Sequence, residues 1–231
     1  VLAIPEMMRL MLDECGYSWD KAWDLTTRTI AYTNHTVMAE ALECWSVDLF
    51  RMQLPRIYQI VEEINRRFCQ QMHDLGVDGY KVGRMAPIND GYVKMANLAV
   101  VACHSVNGVS GLHTEILKNT VFHDFYTEMP DKFCNVTNGI AHRRWLCQSN
   151  PGLSELLNDT IGDGYVRDAS QLKKFEKFRD DAQVLQKLAD IKRQNKERLV
   201  AYIQKSNGIK LDPDSIFDVQ VKRMHEYKRQ H

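Results

Sequence analysis

A dense basic cluster lies near the end of the chain and is the clearest candidate for chemistry. Its members are Lys222, Arg223, His225, Lys228 and Arg229. The preceding residues, 216–221, are mostly apolar and β-branched, which predicts a buried strand. Ligands of open α/β sheets bind just beyond the carboxyl ends of parallel strands, so basic residues at that place predict a phosphate site. The alternative from composition is the solvated start of a charged helix.

Three other segments carry loop or turn signals: HTVMAEALECW at 35–45, SVNGV at 105–109 and KFCNVTNGIAHRRW at 132–145. We expect His35 to lie in a polar loop before a short helix, although a single histidine is more often structural than a ligand. The NG pair at 107–108 predicts a tight bend between two helices whose small residues allow close approach. The NG pair at 138–139 predicts a turn before a helix that starts at 143–145; the alternative is a polar linker with a packed tryptophan.

Helical patterns dominate the rest of the chain. Apolar residues at helical spacing predict helices over 4–13, 18–32, 54–72, 151–162 and 180–204. Ser18 is the expected N-cap of the second helix, and Pro55 stands at the start of the third. An Asp-Gly pair at 90–91 predicts a turn into a short strand at 92–95. These patterns predict a helix-rich α/β chain.

Charge and composition limit the classes of partner. The 231 residues include 30 basic and 30 acidic side chains, so the chain lacks the positive field that holds nucleic acid or an anionic membrane. No apolar stretch approaches the roughly 20 residues that span a bilayer. Six cysteines are scattered without a CxxC pair or a metal-like Cys/His spacing. This spacing predicts reduced packing cysteines in a reducing compartment, and no metal site.

The segments HTVMAEALECW, SVNGV, KFCNVTNGIAHRRW and FDVQVKRMHEYKRQ closely resemble the α-glucan phosphorylases, the family of glycogen, starch and maltodextrin phosphorylases. The resemblance extends with few gaps over nearly all of the chain. Because the chain opens at VLAIPE without an initiator Met and stops at His231, we expect an internal piece. Ala141 and His142 replace Thr and Pro of the family's usual TNGITPRRW, and Cys44 replaces the Arg of EALERW.

The resemblance implies a fragment of the GT-B fold, the glycosyltransferase fold with two Rossmann-type domains. Residues 1–137 resemble the end of the N-terminal domain, and residues 138–231 resemble the hinge and the beginning of the C-terminal domain. It also implies phosphorolysis: inorganic phosphate cleaves a terminal α-1,4-glucosidic bond with retention and releases glucose 1-phosphate. The implied cofactor is pyridoxal phosphate, whose phosphate group exchanges a proton with the substrate phosphate.

The resemblance also implies the catalytic residues. Lys222 and Lys228 would neutralise the cofactor and substrate phosphates, and Arg223 would clamp the substrate phosphate. Two phosphates brought together repel strongly, which is the physical reason for clustered cations. Arginine suits the clamp because its planar fork meets two phosphate oxygens at once.

Further matching residues are implied to contact the sugar or the cofactor. His35 would offer its backbone carbonyl to the glucosyl unit, Asn138 would hydrogen-bond it, and Tyr227 would touch a sugar hydroxyl. Trp145 would pack near the pyridine ring of the cofactor, and Lys222 would contact its phosphate. The lysine that forms the Schiff base lies outside this chain.

The family implies a cytoplasmic homo-oligomer that acts on α-1,4-glucan and phosphate. Without the Schiff-base lysine, the isolated piece is expected to be inactive. Its strand at 216–221 would have an unpaired edge, which predicts self-association. The alternative from another class is a non-catalytic helical interaction module that retains the phosphorylase core, and a third is nucleic-acid binding through the basic tail.

Overall fold

The computed structural model describes residues 1–219 and residue 221. They form two compact units, Val1–Gly139 and the part of the chain from Ile140 onward. Both units are rich in helix and the first contains a parallel sheet, which confirms the predicted α/β class and is consistent with a fragment of the GT-B fold. The assignment of residues 1–137 and 138–231 to two different Rossmann-type domains stays a prediction.

Helices build most of the first unit. They are α1 (Ala3–Arg9), α2 (Trp19–Thr29), α3 (Val47–Gln53), α4 (Pro55–Asp74), α5 (Gly79–Met85), α6 (Met95–Ala102), α7 (Gly111–Ile116) and α8 (His123–Glu128). The predicted signals act locally: the Ser18 hydroxyl accepts a hydrogen bond from Lys21 N at 3.4 Å and caps α2, and Pro55 opens α4. Two π-helical turns, Leu10–Glu14 and Leu117–Val121, extend α1 and α7.

The core of the first unit lies between α4 and α6. The buried stripe of α4 includes Ile57, Ile60, Val61, Ile64, Phe68 and Met72. In contrast, α6 is buried all round except at Asn97, as expected of a helix that is apolar on every face. Val106 and Phe133, which come from two strands, belong to the same core. This shared packing fixes the parallel sheet against the helices.

Two small sheets occur in the first unit. The parallel sheet has the order β1 (Tyr32–Thr33), β5 (Val106–Gly108), β6 (Phe133–Asn135), with Tyr32 opposite Val106 and Val106 opposite Phe133. The antiparallel sheet has the order β2 (Cys44–Ser46), β4 (Tyr92–Lys94), β3 (Ile88–Asn89). Asp90 and Gly91 join β3 to β4 with φ values of 52° and 78°, which confirms the predicted turn and its strand.

Three local predictions in this unit were wrong. The NG pair at 107–108 forms no bend but lies in β5, the central strand of the parallel sheet. The segment after His35 makes only the 3₁₀ turn Ala39–Ala41, and its end pairs as β2 with β4. Residues 30–32 leave the predicted second helix because Tyr32 pairs with β5. In each case long-range strand pairing outweighs the local preference of the residues for a bend or a helix.

The second unit is built around α9 (Pro151–Ile161) and α10 (Ala182–Asn207), as predicted. Gly162 and Gly208 end the two helices with φ values of 77° and 70°, a conformation that favours glycine. The other helical segments are the π-helical turn Arg143–Gln148 and the 3₁₀ helices Asp163–Val166 and Ala169–Phe178. The fully buried Tyr165 packs in this unit, and its hydroxyl lies 2.8 Å from the Ser154 hydroxyl.

The strand predicted at 216–221 is not formed in the part of the chain that the structure describes. Residues 216–219 and 221 adopt no strand, and Ile216 and Val221 are 95% and 89% exposed. A strand needs a neighbour for its backbone hydrogen bonds, and the described residues of the second unit contain no strand to provide one. Lys196 Nζ instead donates to the Ser215 carbonyl at 2.6 Å and holds the start of this segment against α10. The self-association predicted for the isolated piece stays a prediction.

Candidate substrate-binding edge of the parallel sheet

The carboxyl ends of β1, β5 and β6 lie side by side because the three strands run parallel. The residues that follow them are 34–35, 109–110 and 136–138. We refer to these residues together as the carboxyl edge. Ligands of α/β proteins bind at such an edge, so its polar groups are the first candidates for substrate contacts.

After β1, the side chain of Asn34 shapes the loop that presents His35. Asn34 is 1% exposed; its backbone N–H donates to the Asn107 carbonyl at 2.9 Å, and its Oδ1 accepts from Thr36 N at 2.8 Å. Its amide also donates to the Tyr32 hydroxyl at 3.2 Å. Burial raises the pKa of the Tyr32 phenol, which keeps that hydroxyl protonated. With Asn34 turned inward, the adjacent His35 is exposed.

At the end of β5, a glycine lets the strand approach α7 closely. A Cβ on Gly108 would lie 2.5 Å from the Thr114 hydroxyl oxygen and 2.9 Å from the backbone N and Cα of the same residue. Only glycine fits there without moving backbone. Its neighbour Asn107 accepts a hydrogen bond from the Thr33 hydroxyl at 2.8 Å, which links β5 to β1.

After β6, the backbone continues the sheet beyond its last paired residue. Val136 N donates to the Gly108 carbonyl at 3.2 Å, and Asn138 N donates to the Val109 carbonyl at 2.9 Å. These two bonds fix the position of Asn138 relative to β5. The Asn138 side chain is exposed. Asn138 and His35, which are far apart in sequence, thus follow the two outer strands at the same edge.

Lys132, at the start of the TNG-containing motif, has a structural role. Its ammonium donates to the carbonyls of Val100 and Val101 at 2.9 and 2.8 Å, at the end of α6. Burial lowers the pKa of Lys132 and raises the pKa of the neighbouring Cys103 thiol to about 11. A positive charge at a helix C-terminus is favourable, so this lysine supports the sheet from the α6 side.

In the second unit, Trp145 lies in the turn Arg143–Gln148 and is 62% exposed. The turn starts without the proline that the resemblance led us to expect. The His142 side chain holds the start of the turn instead, because its Nε2 lies 2.9 Å from the Tyr165 carbonyl. Arg143 adds a second bond to the Val166 carbonyl at 2.9 Å. The start of the turn is therefore tied to residues 165–166 by side chains.

Several predicted site residues lie outside the residues that the structure describes: Lys222, Arg223, Tyr227 and Lys228, together with His225 and Arg229. Their roles stay predictions. Cys44 is exposed in β2, where it pairs with Lys94. Across residues 1–219 and 221, no group of three or more His, Cys, Asp or Glu side chains is arranged to hold a metal ion. Within the same residues, no helix is long and apolar enough to cross a membrane.

Two contributors to the edge were missed from the sequence. Thr114 Oγ1 lies 3.1 Å from Asn135 Oδ1 and packs on Gly108, and His113 accepts a hydrogen bond from Val109 N at 3.1 Å. The NG pair at 107–108 was a local signal for this place. By itself it favours a bend, and it allows the close approach of β5 to α7 only once β5 is paired in the sheet. No local pattern connects α7 to β6.

Comparison with known proteins shows the family of the chain. A family model of carbohydrate phosphorylases matches residues 1–231. The chain is 48% identical over 233 residues to the muscle form of glycogen phosphorylase from Homo sapiens, covering 99% of this chain and 28% of that protein. It is 46% identical over 230 residues to the glycogen phosphorylase of Bacillus subtilis, covering 99% of this chain and 29% of that protein. The chain thus spans less than a third of the length of these relatives, and it belongs to the carbohydrate phosphorylase family.

Proposed function

We propose that this chain is part of a glucan phosphorylase, in which inorganic phosphate cleaves the terminal α-1,4-glucosidic bond of a glucan with retention and releases glucose 1-phosphate. The observation that carries the proposal is the carboxyl edge. There residues 34–35 and 136–138 follow the two outer strands of one parallel sheet, in a chain of the carbohydrate phosphorylase family. The names of its relatives, which are glycogen phosphorylases, support the same activity.

The chemistry of the edge suits a sugar. A glucosyl unit presents uncharged hydroxyl groups, and an asparagine amide can both donate to and accept from them. The exposed Asn138 side chain and the backbone carbonyl of the exposed residue His35 would take these contacts. We assign a third contact, to another sugar hydroxyl, to Tyr227.

The phosphate contacts are assigned to the basic cluster. Arg223 would bind the substrate phosphate through two parallel hydrogen bonds, and Lys222 and Lys228 would offset the repulsion between two phosphates. The formal charge of the whole chain is zero, so a local cluster is the source of positive potential for such a site.

The cofactor implied by the family is pyridoxal phosphate. Trp145 fits a planar aromatic ring because it is an aromatic residue that is 62% exposed, and Lys222 fits the cofactor phosphate by its charge. When bound, the cofactor supplies a phosphate group that exchanges a proton with the substrate phosphate. Because the Schiff-base lysine is expected outside this chain, we propose that the chain by itself does not catalyse the reaction.

We further propose that the parent protein is a cytoplasmic homo-oligomer. The six cysteines support a reducing compartment, since all of them are free thiols and three of them are exposed. The balanced charge gives no reason to propose a nucleic-acid or membrane partner.

The proposal is tested by measuring glucose 1-phosphate released from glycogen or maltodextrin in the presence of phosphate. We expect release by the complete parent protein and none by residues 1–231 alone. If the complete protein binds glucan but releases no glucose 1-phosphate, the alternative of a non-catalytic interaction module is favoured instead.

A further inference from the structure

His113 lies in the first turn of α7, directly beside the carboxyl edge. Its backbone N–H donates to the Ser110 hydroxyl at 3.1 Å, which caps the helix. Its ring Nδ1 accepts a hydrogen bond from the backbone N–H of Val109 at 3.1 Å. The imidazole therefore joins the beginning of α7 to the residue that follows β5.

Val109 links the His113 ring to the residues that follow β6. Its N–H is bound by His113, and its carbonyl accepts the N–H of Asn138 at 2.9 Å. Both polar groups of the Val109 main chain are thus engaged, which fixes the orientation of its two peptide planes. Asn138 is connected to the imidazole through this single residue.

The position of the ring proton shows which nitrogen of His113 makes a hydrogen bond to the protein. Because Nδ1 accepts a hydrogen bond, the proton of the neutral imidazole is on Nε2. Nε2 is buried and has no hydrogen-bond partner among the residues that the structure describes. A buried donor without an acceptor is unfavourable, so an apolar side chain would fill this space better. The contact that distinguishes histidine from such a side chain is the one at Nδ1.

We propose that His113 is a positioning residue for the substrate-binding edge: its Nδ1 fixes Val109, and Val109 holds Asn138 where it meets the sugar. The last step rests on the proposed function, because it requires Asn138 to contact the glucosyl unit. Small displacements of a substrate-binding group are enough to lower turnover. Loss of the Nδ1 acceptor should therefore weaken use of glucan without changing use of phosphate.

Two substitutions distinguish the role of Nδ1 from that of Nε2. His113→Asn keeps an acceptor, because the asparagine Oδ1 is bonded to Cγ as the imidazole Nδ1 is, and its NH2 donors lie on the same carbon, closer to the backbone than Nε2. His113→Gln places its amide one bond farther out and leaves no acceptor at the Nδ1 position. His123→Gln is the matched control, since His123 is exposed and also makes one backbone contact, at 3.2 Å from the Lys118 carbonyl.

The variants are made in the complete parent protein, and amide hydrogen exchange is measured in peptides that contain Val109 and Asn138. We expect His113→Gln to accelerate exchange there by about 2- to 10-fold, the effect of one lost hydrogen bond. The apparent KM for glucan should rise by a similar factor with the KM for phosphate unchanged. His113→Asn and His123→Gln should match the unsubstituted protein in both measurements.

The outcomes separate this inference from the proposed function. Unchanged exchange in His113→Gln, or accelerated exchange in His113→Asn, would overturn the positioning role of His113. Accelerated exchange in His113→Gln with an unchanged KM for glucan would support that positioning role and would show that Asn138 is not the sugar contact.

Discussion

Replacing Gly108 by alanine tests the close approach of β5 and α7. The added Cβ would lie 2.5 Å from the Thr114 hydroxyl oxygen and 2.9 Å from the Thr114 backbone N and Cα. The hydroxyl could rotate away, but the backbone atoms belong to α7 and cannot. Overpacking of this kind costs about 1–3 kcal/mol, which lowers the Tm of a unit of this size by about 3–12 °C.

The assay is thermal unfolding of Gly108→Ala followed by circular dichroism, with Gly111→Ala as the matched control. Gly111 opens the same helix, and a Cβ there would meet nothing within 4 Å. We expect Gly111→Ala to be neutral or to stabilise by about 0.4–1 kcal/mol, because alanine restricts the unfolded chain. Equal Tm values for the two variants would refute the packing argument at Gly108.

In the complete parent protein, Arg223→Ala should reduce the rate of phosphorolysis by about 30-fold to several thousand-fold, and Arg223→Lys should recover part of that loss. Arg229→Ala should change the rate little. Equal rates for the two alanine variants would exclude Arg223 as the phosphate clamp. His142→Ala should lower the free energy of unfolding by about 0.5–1.5 kcal/mol, because the hydrogen bond to a backbone carbonyl is lost. Urea titration measures this change, and an unchanged midpoint would contradict the prediction. Hydrogen bonds from Arg66 and a second arginine of α4 lower the pKa of Glu63 from 4.5 to about 2. The ionised Glu63 therefore stabilises the folded protein fully above pH 4.5, and this contribution is lost as the pH falls towards 2. Glu63→Gln should therefore be less stable by at most about 1 kcal/mol at pH 7 and equally stable near pH 2, and a constant difference across this range would disprove the linkage.

Local signals predicted the helices well. In α4, Pro55 at the start and apolar residues at three- and four-residue spacing identify both the helix and its buried face. Gly162 and Gly208 end α9 and α10 because a left-handed φ favours glycine, and α10 runs three residues beyond its predicted end at 204. These features depend on a few neighbouring residues, so the sequence alone contains them.

The small parallel sheet could not be predicted in the same way. Its strands are two or three residues long, and their pairing joins residues 32, 106 and 133. Asn107 and Gly108 favour a turn locally, yet pairing on both sides makes them a strand. Conversely, residues 216–221 have strand composition, but the described ones, 216–219 and 221, form no strand. The positions of His35 and Asn138 at one edge follow from this non-local pairing, and only the family resemblance indicated them beforehand.

The central claim is that the carboxyl edge binds the sugar through Asn138. Its most direct test is the kcat/KM of the complete parent protein for glucan with Asn138→Ala, compared with Asn119→Ala as an exposed asparagine on the turn Leu117–Val121. An unpaired sugar hydroxyl in a closed site costs about 1–3 kcal/mol, so Asn138→Ala should lower kcat/KM by about 5- to 150-fold while Asn119→Ala leaves it unchanged. Equal kcat/KM values for the two variants would contradict the claim that this edge holds the glucosyl unit.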